Sequence, residues 1–241
     1  MTSTRTGGVS RGPYASLNLG AHVADSWECV RENRRRFCEA LALPPGRLVI
    51  GAQCHSATVR WVSSKNGGQG WLTPEEALPA TDGLIAHEEE GLYLGVLTAD
   101  CLPVLLYDPV RRVYGAIHAG RRGLIQGVLE AALEVFVRFG SNPSDLVAVL
   151  GAGIHRERYE VDPASARQFQ GRFGGETVSG RRVDLYAAAR RVLIAGGVPP
   201  GRIGISSLDP AERTDLFYSH RAEGGRTGRM LSLIGPSISI L

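Results

Sequence analysis

The chain has 241 residues, which is enough for one large α/β domain with a substantial core or for two small domains. Apolar residues make up 43% of the sequence, an ordinary share that indicates a folded globular protein and excludes a disordered one. The formal net charge is only +3, and no array of Lys and Arg residues marks one face, so the charge does not argue for nucleic-acid binding and we expect no nucleic-acid partner.

The sequence also bears on where in the cell the protein acts. Residues 1–12 are polar and Gly-rich and lack the apolar segment of a signal peptide, so we expect a disordered N-terminal segment before one domain over residues 13–241. No run reaches the roughly 18 apolar residues that a membrane-spanning helix needs. The four cysteines have no paired spacing, which argues against a disulfide framework. We therefore expect a cytoplasmic protein that does not bind membranes.

The first quarter of the chain predicts one helix and two short strands. Residues 13–22 are interpreted as a strand or a loop. Asp25 or Ser26 is placed to cap a helix over residues 27–42, in which apolar residues recur at helical spacing. Strands are predicted at 48–50 and 58–62, and the sequence Gln53-Cys54-His55-Ser56 lies between them.

The stretch from Gly91 to Gly123 carries the clearest pattern for a site. Three apolar runs, at 92–97, 104–107 and 113–117, read as strands. Asp100 and Cys101 follow the first run, and His118 follows the third. Because α/β folds commonly place their sites where strands end, we expect Cys101 and His118 to face a common site.

The second half of the chain predicts further helices and strands. One helix is expected over 122–139, with Gly140 as its C-terminal cap, and others over 163–173 and 183–196. Strands are expected at 146–150, at 203–206 and after the Gly-rich loop of the tail. Neither a linker nor a repeat is visible, so a single α/β domain with helices outside mixed sheets is the simplest architecture.

His55, Cys101 and His118 form the candidate reactive set. Three N and S ligands from separate strand ends are typical of a catalytic zinc with an open fourth position, and such a zinc lowers the pKa of bound water to about 7. Cys101 can instead be a nucleophilic thiolate with a histidine as its base. A third interpretation is a buried cysteine beside ordinary polar histidines. The spacing does not separate these alternatives.

Several charged residues near this set have two interpretations each. Arg121 and Arg122 open a predicted helix, so they either bind an anion such as phosphate or are simply solvated. Asp100 either orients a histidine or caps a turn. The Gly-rich tail loop, which contains the cations His220, Arg221, Arg226 and Arg229, either closes over an anionic ligand or is merely exposed.

The sequence resembles the YfiH/YlmD-like family, long labelled laccase-domain or polyphenol oxidase proteins. The resemblance runs nearly end to end. It depends on the segments NLGAHVADSWECVRENRRRF, QCHSATV, TDGLIAHEEEGLYLGVLTADCLPVLLYDP, GAIHAGRRG, GAGIHRERYEVDP and FYSHRAEGGRTGRM. Arg121 stands where the family usually has Trp.

The resemblance implies a fold, a cofactor and an activity. The fold is a four-layer α/β/β/α sandwich of two mixed sheets flanked by helices, and His55, Cys101 and His118 are implied to bind Zn²⁺ as catalytic residues, with copper less favoured. The implied reactions are phosphorolysis of adenosine, inosine, guanosine and 5'-methylthioadenosine, and deamination of adenosine to inosine. Arg122, Arg34 and Asn33 match family positions and are implied to bind phosphate or nucleoside, and we expect Arg121 to assist Arg122 in binding phosphate. The oligomeric state is left open.

Three rival classes remain at this point. A hydrolase can use Cys101 as its nucleophile, for example on a peptidoglycan precursor. A copper phenol oxidase would fit the older family label, but the His-x-His pairs of multicopper oxidases are absent from the sequence. A zinc-bearing partner protein without enzymatic activity would bind metal without turning over a nucleoside.

Overall fold

Two mixed β-sheets lie face to face in the computed structural model, which describes residues 1–236. Within that range no helix is long and apolar enough to cross a membrane. The helices are α1 (Trp27–Ala40), α2 (Arg121–Gln126), α3 (Val128–Arg138), α4 (Pro163–Phe173) and α5 (Leu185–Ala195). The strands are β1 (Leu48–Ile50), β2 (Val59–Trp61), β3 (Gly83–His87), β4 (Tyr93–Thr98), β5 (Leu102–Asp108), β6 (Val113–Ala119), β7 (Val147–Leu150), β8 (Val178–Ser179), β9 (Arg182–Val183), β10 (Ile203–Ile205) and β11 (Met230–Ile234).

Both large sheets mix parallel and antiparallel pairs. The three-stranded sheet has the order β1-β4-β11, with β1 parallel and β11 antiparallel to β4. The six-stranded sheet has the order β10-β7-β5-β6-β3-β2, with parallel pairs at its two edges and antiparallel pairs in its centre. Strands β8 and β9 form a separate hairpin.

Three apolar layers hold the sandwich together. The inner layer joins Leu94 of one sheet to Leu84 and Tyr114 of the other. Helix α1 covers the outer face of the small sheet, and α3, α4 and α5 pack with the outer face of the large one. Every residue of β6 is buried because both of its faces are covered, which explains the continuous apolar run at 113–117. The predicted four-layer α/β architecture is confirmed.

Two predicted helices differ from the structure at a left-handed residue. Helix α1 begins after Ser26, whose hydroxyl accepts a hydrogen bond from Cys29 N, but it ends before the predicted boundary because Ala42 has φ of 50°. The single helix predicted over 122–139 is wrong. Gly127, with φ of 92°, divides it into α2 and α3. Apolar periodicity misses such a break, because the apolar spacing of Leu124, Val128 and Ala132 continues across Gly127.

The predicted disorder of residues 1–12 is also wrong. Ser3 N donates to Leu231 O, Arg5 N donates to Leu216 O, and Thr2 pairs with Ser232 of β11. The segment therefore covers the free edge of β11. Polar composition cannot reveal this, because the partners lie more than two hundred residues away in the chain.

Candidate active site

Three loops and strand ends bring the candidate ligands together. His55 lies between β1 and β2, Cys101 between β4 and β5, and His118 near the end of β6. Their ligand atoms all lie within 4.8 Å of one another, and no other group of three or more His, Cys, Asp or Glu residues in positions 1–236 is arranged in this way. The distance from Cys101 Sγ to His55 Nε2 is 3.6 Å. The structure therefore brings the predicted reactive set together.

This geometry fits a single metal ion. Tetrahedral zinc with Zn–S of about 2.3 Å and Zn–N of about 2.0 Å places its sulfur and nitrogen ligands about 3.6 Å apart. The observed distance between Cys101 Sγ and His55 Nε2 has this value. Nδ1 of His118 is engaged by Asp82, which leaves Nε2 as the ligand atom. The three side chains can thus hold a metal ion.

Asp82, immediately before β3, positions two of the three ligands. The side chain is buried, and Oδ1 lies 2.8 Å from His118 Nδ1 while it accepts a hydrogen bond from His55 N at 2.9 Å. Oδ2 accepts from the amide and hydroxyl of Ser56. Burial opposes ionisation of Asp82, but the hydrogen bonds from His118 and Ser56 outweigh it and lower its pKa.

Sequence reasoning missed this role of Asp82. It considered Asp100 as the carboxylate that orients a histidine, and the structure gives that role to Asp82. The available signal was a single acidic residue in Thr81-Asp82-Gly83, directly before an apolar strand whose neighbour in the sheet is β6. The antiparallel pairing that places Asp82 beside His118 cannot be deduced from local spacing.

Asp100 instead caps a turn, which is the other role that the sequence analysis considered for it. Its backbone has φ of 95°, and its carboxylate accepts hydrogen bonds from Ser219 Oγ and Arg221 N, each at 2.6 Å. Since Cys101 follows Asp100 directly, this pair of bonds ties the ligand loop to the C-terminal part of the chain.

Cys101 and His118 form an electrostatic pair. Burial raises the pKa of the Cys101 thiol, but the charge and hydrogen bond of His118 and the hydrogen bond of His55 outweigh it and lower the pKa to about 6. Burial likewise opposes protonation of His118, yet the Cys101 thiolate and Asp82 raise its pKa to about 9. A thiolate is the form that binds metals and attacks electrophiles.

Gly120 is required by the packing of the ligands. A Cβ atom at this position would lie 2.7 Å from Cys101 Sγ and 2.9 Å from His55 Cδ2. Real Cβ atoms do not approach other atoms so closely, so any side chain here would displace the ligands. The glycine of the His118-Ala119-Gly120 motif is therefore part of the site.

A cavity of about 320 Å³ opens beside the three ligands. Thr98 lines it, and the buried Thr98 hydroxyl has no hydrogen-bond partner within residues 1–236. The other lining side chains include His22, Ile154, Tyr159, His220, Arg221 and Arg229. The cavity thus combines an apolar wall with several groups that can bind a polar ligand.

The structure does not bring the other predicted binding residues into this cavity. The side-chain amide of Asn33 donates hydrogen bonds to the N-terminal part of the chain, at Ser10 Oγ, Ser16 O and Asn18 O. Arg34 is buried, donates to backbone carbonyls of Leu19, Gly70 and Trp71, and lines a smaller neighbouring cavity. A match to a family motif does not distinguish residues that hold the fold together from residues that bind a ligand.

The two arginines at the start of α2 also lie outside the cavity. Arg122 is exposed, and Arg121 is half-buried. Arg121 lines an adjoining surface depression together with Arg181, Arg221 and Tyr159. Gln53, two residues before His55, forms a pair of hydrogen bonds with the backbone of Leu97 and so supports the cavity wall.

The fold and the site define a four-layer α/β protein with a cluster of two histidines and one cysteine whose geometry can hold a metal ion. The chain belongs to the family described as multi-copper polyphenol oxidoreductase laccase, whose profile matches residues 1–237. This membership confirms the predicted family.

Relatives of known name span nearly the whole chain. Purine nucleoside phosphorylase YlmD of Bacillus subtilis is 34% identical over 245 residues, which cover 97% of this chain and 86% of the relative. A purine nucleoside phosphorylase of Corynebacterium glutamicum is 37% identical, covering 96% of this chain and 92% of the relative. The crystal structure of YlmD from Geobacillus stearothermophilus superimposes with a TM-score of 0.92 at 35% identity, covering 97% of this chain and 90% of that one.

Proposed function

We propose that this protein is a zinc-dependent purine nucleoside phosphorylase. Its substrates are adenosine, inosine, guanosine and 5'-methylthioadenosine, and it also deaminates adenosine to inosine. The observation that carries the proposal is the set of two nitrogen ligands and one sulfur ligand beside a cavity lined by polar and apolar groups. Relatives named purine nucleoside phosphorylase, similar over nearly the full length of the chain, support the reaction class.

His55, Cys101 and His118 would hold the zinc. When bound, zinc supplies a Lewis acid that polarises an oxygen atom in the cavity. Two imidazoles and one thiolate also suit copper, and the family description names copper, so the metal must be identified by elemental analysis. Asp82 keeps His118 in the tautomer that presents Nε2 to the ion.

In phosphorolysis, a phosphate oxygen forms a bond to the anomeric carbon of the ribose. The bond from that carbon to N9 of the purine breaks, and the base leaves with the electron pair and takes up a proton. In deamination, water adds to C6 of adenosine and ammonia leaves. Thr98 lines the same cavity and its buried hydroxyl has no hydrogen-bond partner within residues 1–236, so we assign this group to hydrogen-bond the nucleoside.

The test combines metal analysis with product analysis. We expect one zinc per chain, and release of adenine or hypoxanthine from adenosine only when phosphate is present. The variant Cys101→Ala should lose zinc and turnover together. Retained turnover in this variant would contradict the site assignment, and inosine as the sole product would restrict the activity to deamination.

A cysteine hydrolase is the second candidate, and one observation favours it. The pKa of Cys101 is lowered, against the effect of burial, by His118 and His55, and the sulfur lies 3.6 Å from His55 Nε2, as a nucleophile and its base would. Such an enzyme would keep its activity after chelation of the metal and would form a covalent adduct on Cys101. Activity that disappears with chelation and returns with zinc would exclude it.

A further inference from the structure

Two arginines reach the metal-site cavity from the C-terminal part of the chain. Arg221 and Arg229 both line the cavity that holds the three ligands. They belong to the segment from Ser219 to Arg229, called the tail loop below, which lies between the buried Tyr218 and strand β11. The tail loop therefore forms a cationic wall of the cavity, next to the ligands.

The position of Arg221 is coupled to Cys101. Both oxygens of Asp100 bind the tail loop, through Ser219 Oγ and Arg221 N. The Arg221 guanidinium lies 5.2 Å from the centre of the Tyr159 ring and donates to Glu160 O at 2.5 Å. Because Asp100 precedes Cys101 directly, the Arg221 side chain is held at a defined place relative to the thiol.

Arg229 is fixed independently of Arg221. Its backbone amide donates to Asn18 Oδ1 at 2.9 Å, and its guanidinium donates to the carbonyls of Thr227 and Gly228. The side chain is only half-buried, so part of the guanidinium remains available to a ligand. A fork of N–H donors held in this way is pre-organised to bind a tetrahedral anion.

Neither guanidinium group forms a hydrogen bond or salt bridge with a carboxylate within residues 1–236. Within residues 1–236 both guanidinium groups donate only to backbone carbonyl oxygens. Among the residues that line the cavity, Asp100 carries the one carboxylate, and both of its oxygens already accept hydrogen bonds from the tail loop. A partly enclosed cavity with two such cations favours a ligand that carries negative charge.

We propose that Arg221 and Arg229 form the subsite for inorganic phosphate, beside the metal ligands. This assignment rests on the proposed phosphorolysis, in which phosphate is the second substrate. It replaces Arg122 and Arg121, the residues that the sequence suggested, because neither lines the cavity. The same chemistry would bind the phosphate ester of a nucleotide, so the experiment compares the two ligands.

The test uses the full chain loaded with zinc and the variants Arg221→Met and Arg229→Met. Methionine keeps the apolar stem and removes the charged donors. Arg226→Met is the matched control, because Arg226 is an exposed arginine of the same loop that does not line the cavity. Calorimetry with inorganic phosphate and with adenosine 5'-monophosphate measures binding, and steady-state kinetics measures the KM values for phosphate and adenosine.

We expect each of the two variants to raise the dissociation constant and the KM for phosphate by about tenfold or more, since each loses charge-assisted hydrogen bonds. The KM for adenosine and the zinc content should stay unchanged, and Arg226→Met should behave as the wild type. If Arg229→Met does not fold, Arg229→Lys should keep the charge, lose the fork and show a smaller increase.

Three outcomes would overturn the subsite. They are wild-type phosphate affinity in both variants, a zinc-loaded wild type that does not bind phosphate, and tight binding of the nucleotide without binding of inorganic phosphate. A wild type that binds phosphate through these arginines but phosphorolyses no nucleoside would support the subsite and contradict the proposed function.

Discussion

Oδ1 of Asp82 lies 2.8 Å from Nδ1 of His118, and the same oxygen accepts a hydrogen bond from the backbone amide of His55. One buried acid thus sets the ring orientation of one ligand and the loop conformation of another. His55 has φ of 64°, a left-handed conformation that the hydrogen bond from its backbone N–H to Asp82 Oδ1 helps to hold. The arrangement of the candidate ligands depends on Asp82, although this residue contributes no ligand atom.

The variant Asp82→Asn should weaken metal binding. An asparagine side chain presents one acceptor oxygen and one donor nitrogen, so it cannot accept hydrogen bonds from His118 and Ser56 on both atoms. Loss of a partner that orients a metal-binding histidine typically costs 10–100-fold in affinity, and we expect a loss of about this size. Competition with a chromogenic zinc chelator measures it.

The control for this variant is Asp100→Asn. Asp100 binds the tail loop and not a ligand histidine, so its replacement should reduce metal affinity much less. Equal losses in the two variants would contradict the assignment of the orienting role to Asp82.

The variant Gly120→Ala should also weaken metal binding, through packing. The added Cβ would meet Cys101 Sγ at 2.7 Å and the His55 ring at 2.9 Å. Overpacking of this kind costs about 1–3 kcal/mol, which corresponds to roughly 5- to 150-fold in metal affinity. The matched control for added side-chain volume is Gly171→Ala. Gly171 lies in α4, and no atom lies within 4 Å of the added Cβ. This change should therefore stabilise the fold by about 0.5–1 kcal/mol. Unchanged zinc affinity in Gly120→Ala would disprove the packing argument.

Asn33 is expected to act on stability and not on substrate binding. Its buried amide satisfies Val9 N, Ser10 Oγ and two backbone carbonyls, so Asn33→Ala leaves several buried polar groups without partners. We expect the free energy of unfolding to fall by about 2–4 kcal/mol, with an unchanged KM for adenosine in the folded protein. Urea denaturation measures the first and kinetics the second.

Asn142 offers the comparison for Asn33. Its exposed side chain accepts one hydrogen bond at a helical turn, so Asn142→Ala should cost less, about 1 kcal/mol. A raised KM for adenosine in Asn33→Ala, without loss of stability, would restore the binding role that the sequence suggested.

The metal-free protein should show a Cys101 thiolate near neutral pH. The pKa of Cys101 is lowered to about 6 and that of His118 is raised to about 9 by their mutual attraction. Both groups are therefore charged between these values. The stability that the pair contributes is lost as pH falls through the Cys101 pKa or rises through the His118 pKa. Absorbance at the thiolate band should rise with a midpoint near pH 6, and Cys101→Ser should lack this rise. A midpoint at or above the ordinary cysteine pKa would contradict the pairing.

By itself, the sequence indicated helices outside mixed sheets and the candidate set His55, Cys101 and His118, and the family resemblance added the four-layer arrangement. Continuous apolar runs and helical periodicity record burial directly, and β4, β5 and β6 could be located because both faces of each strand are largely covered. Cys101 and His118 could be assigned to one site because each follows a predicted strand.

Only the tertiary structure decided which residues serve these ligands. The orienting acid proved to be Asp82 and not Asp100, and the cations of the cavity proved to be Arg221 and Arg229 and not Arg122. The N-terminal segment and Asn33 likewise acquired their roles from contacts with distant parts of the chain. Local spacing indicates which face of a helix or strand is buried. Strand pairing and loop anchoring, in contrast, arise from hydrogen bonds between residues far apart in sequence. These bonds decide which side chains come together at the site.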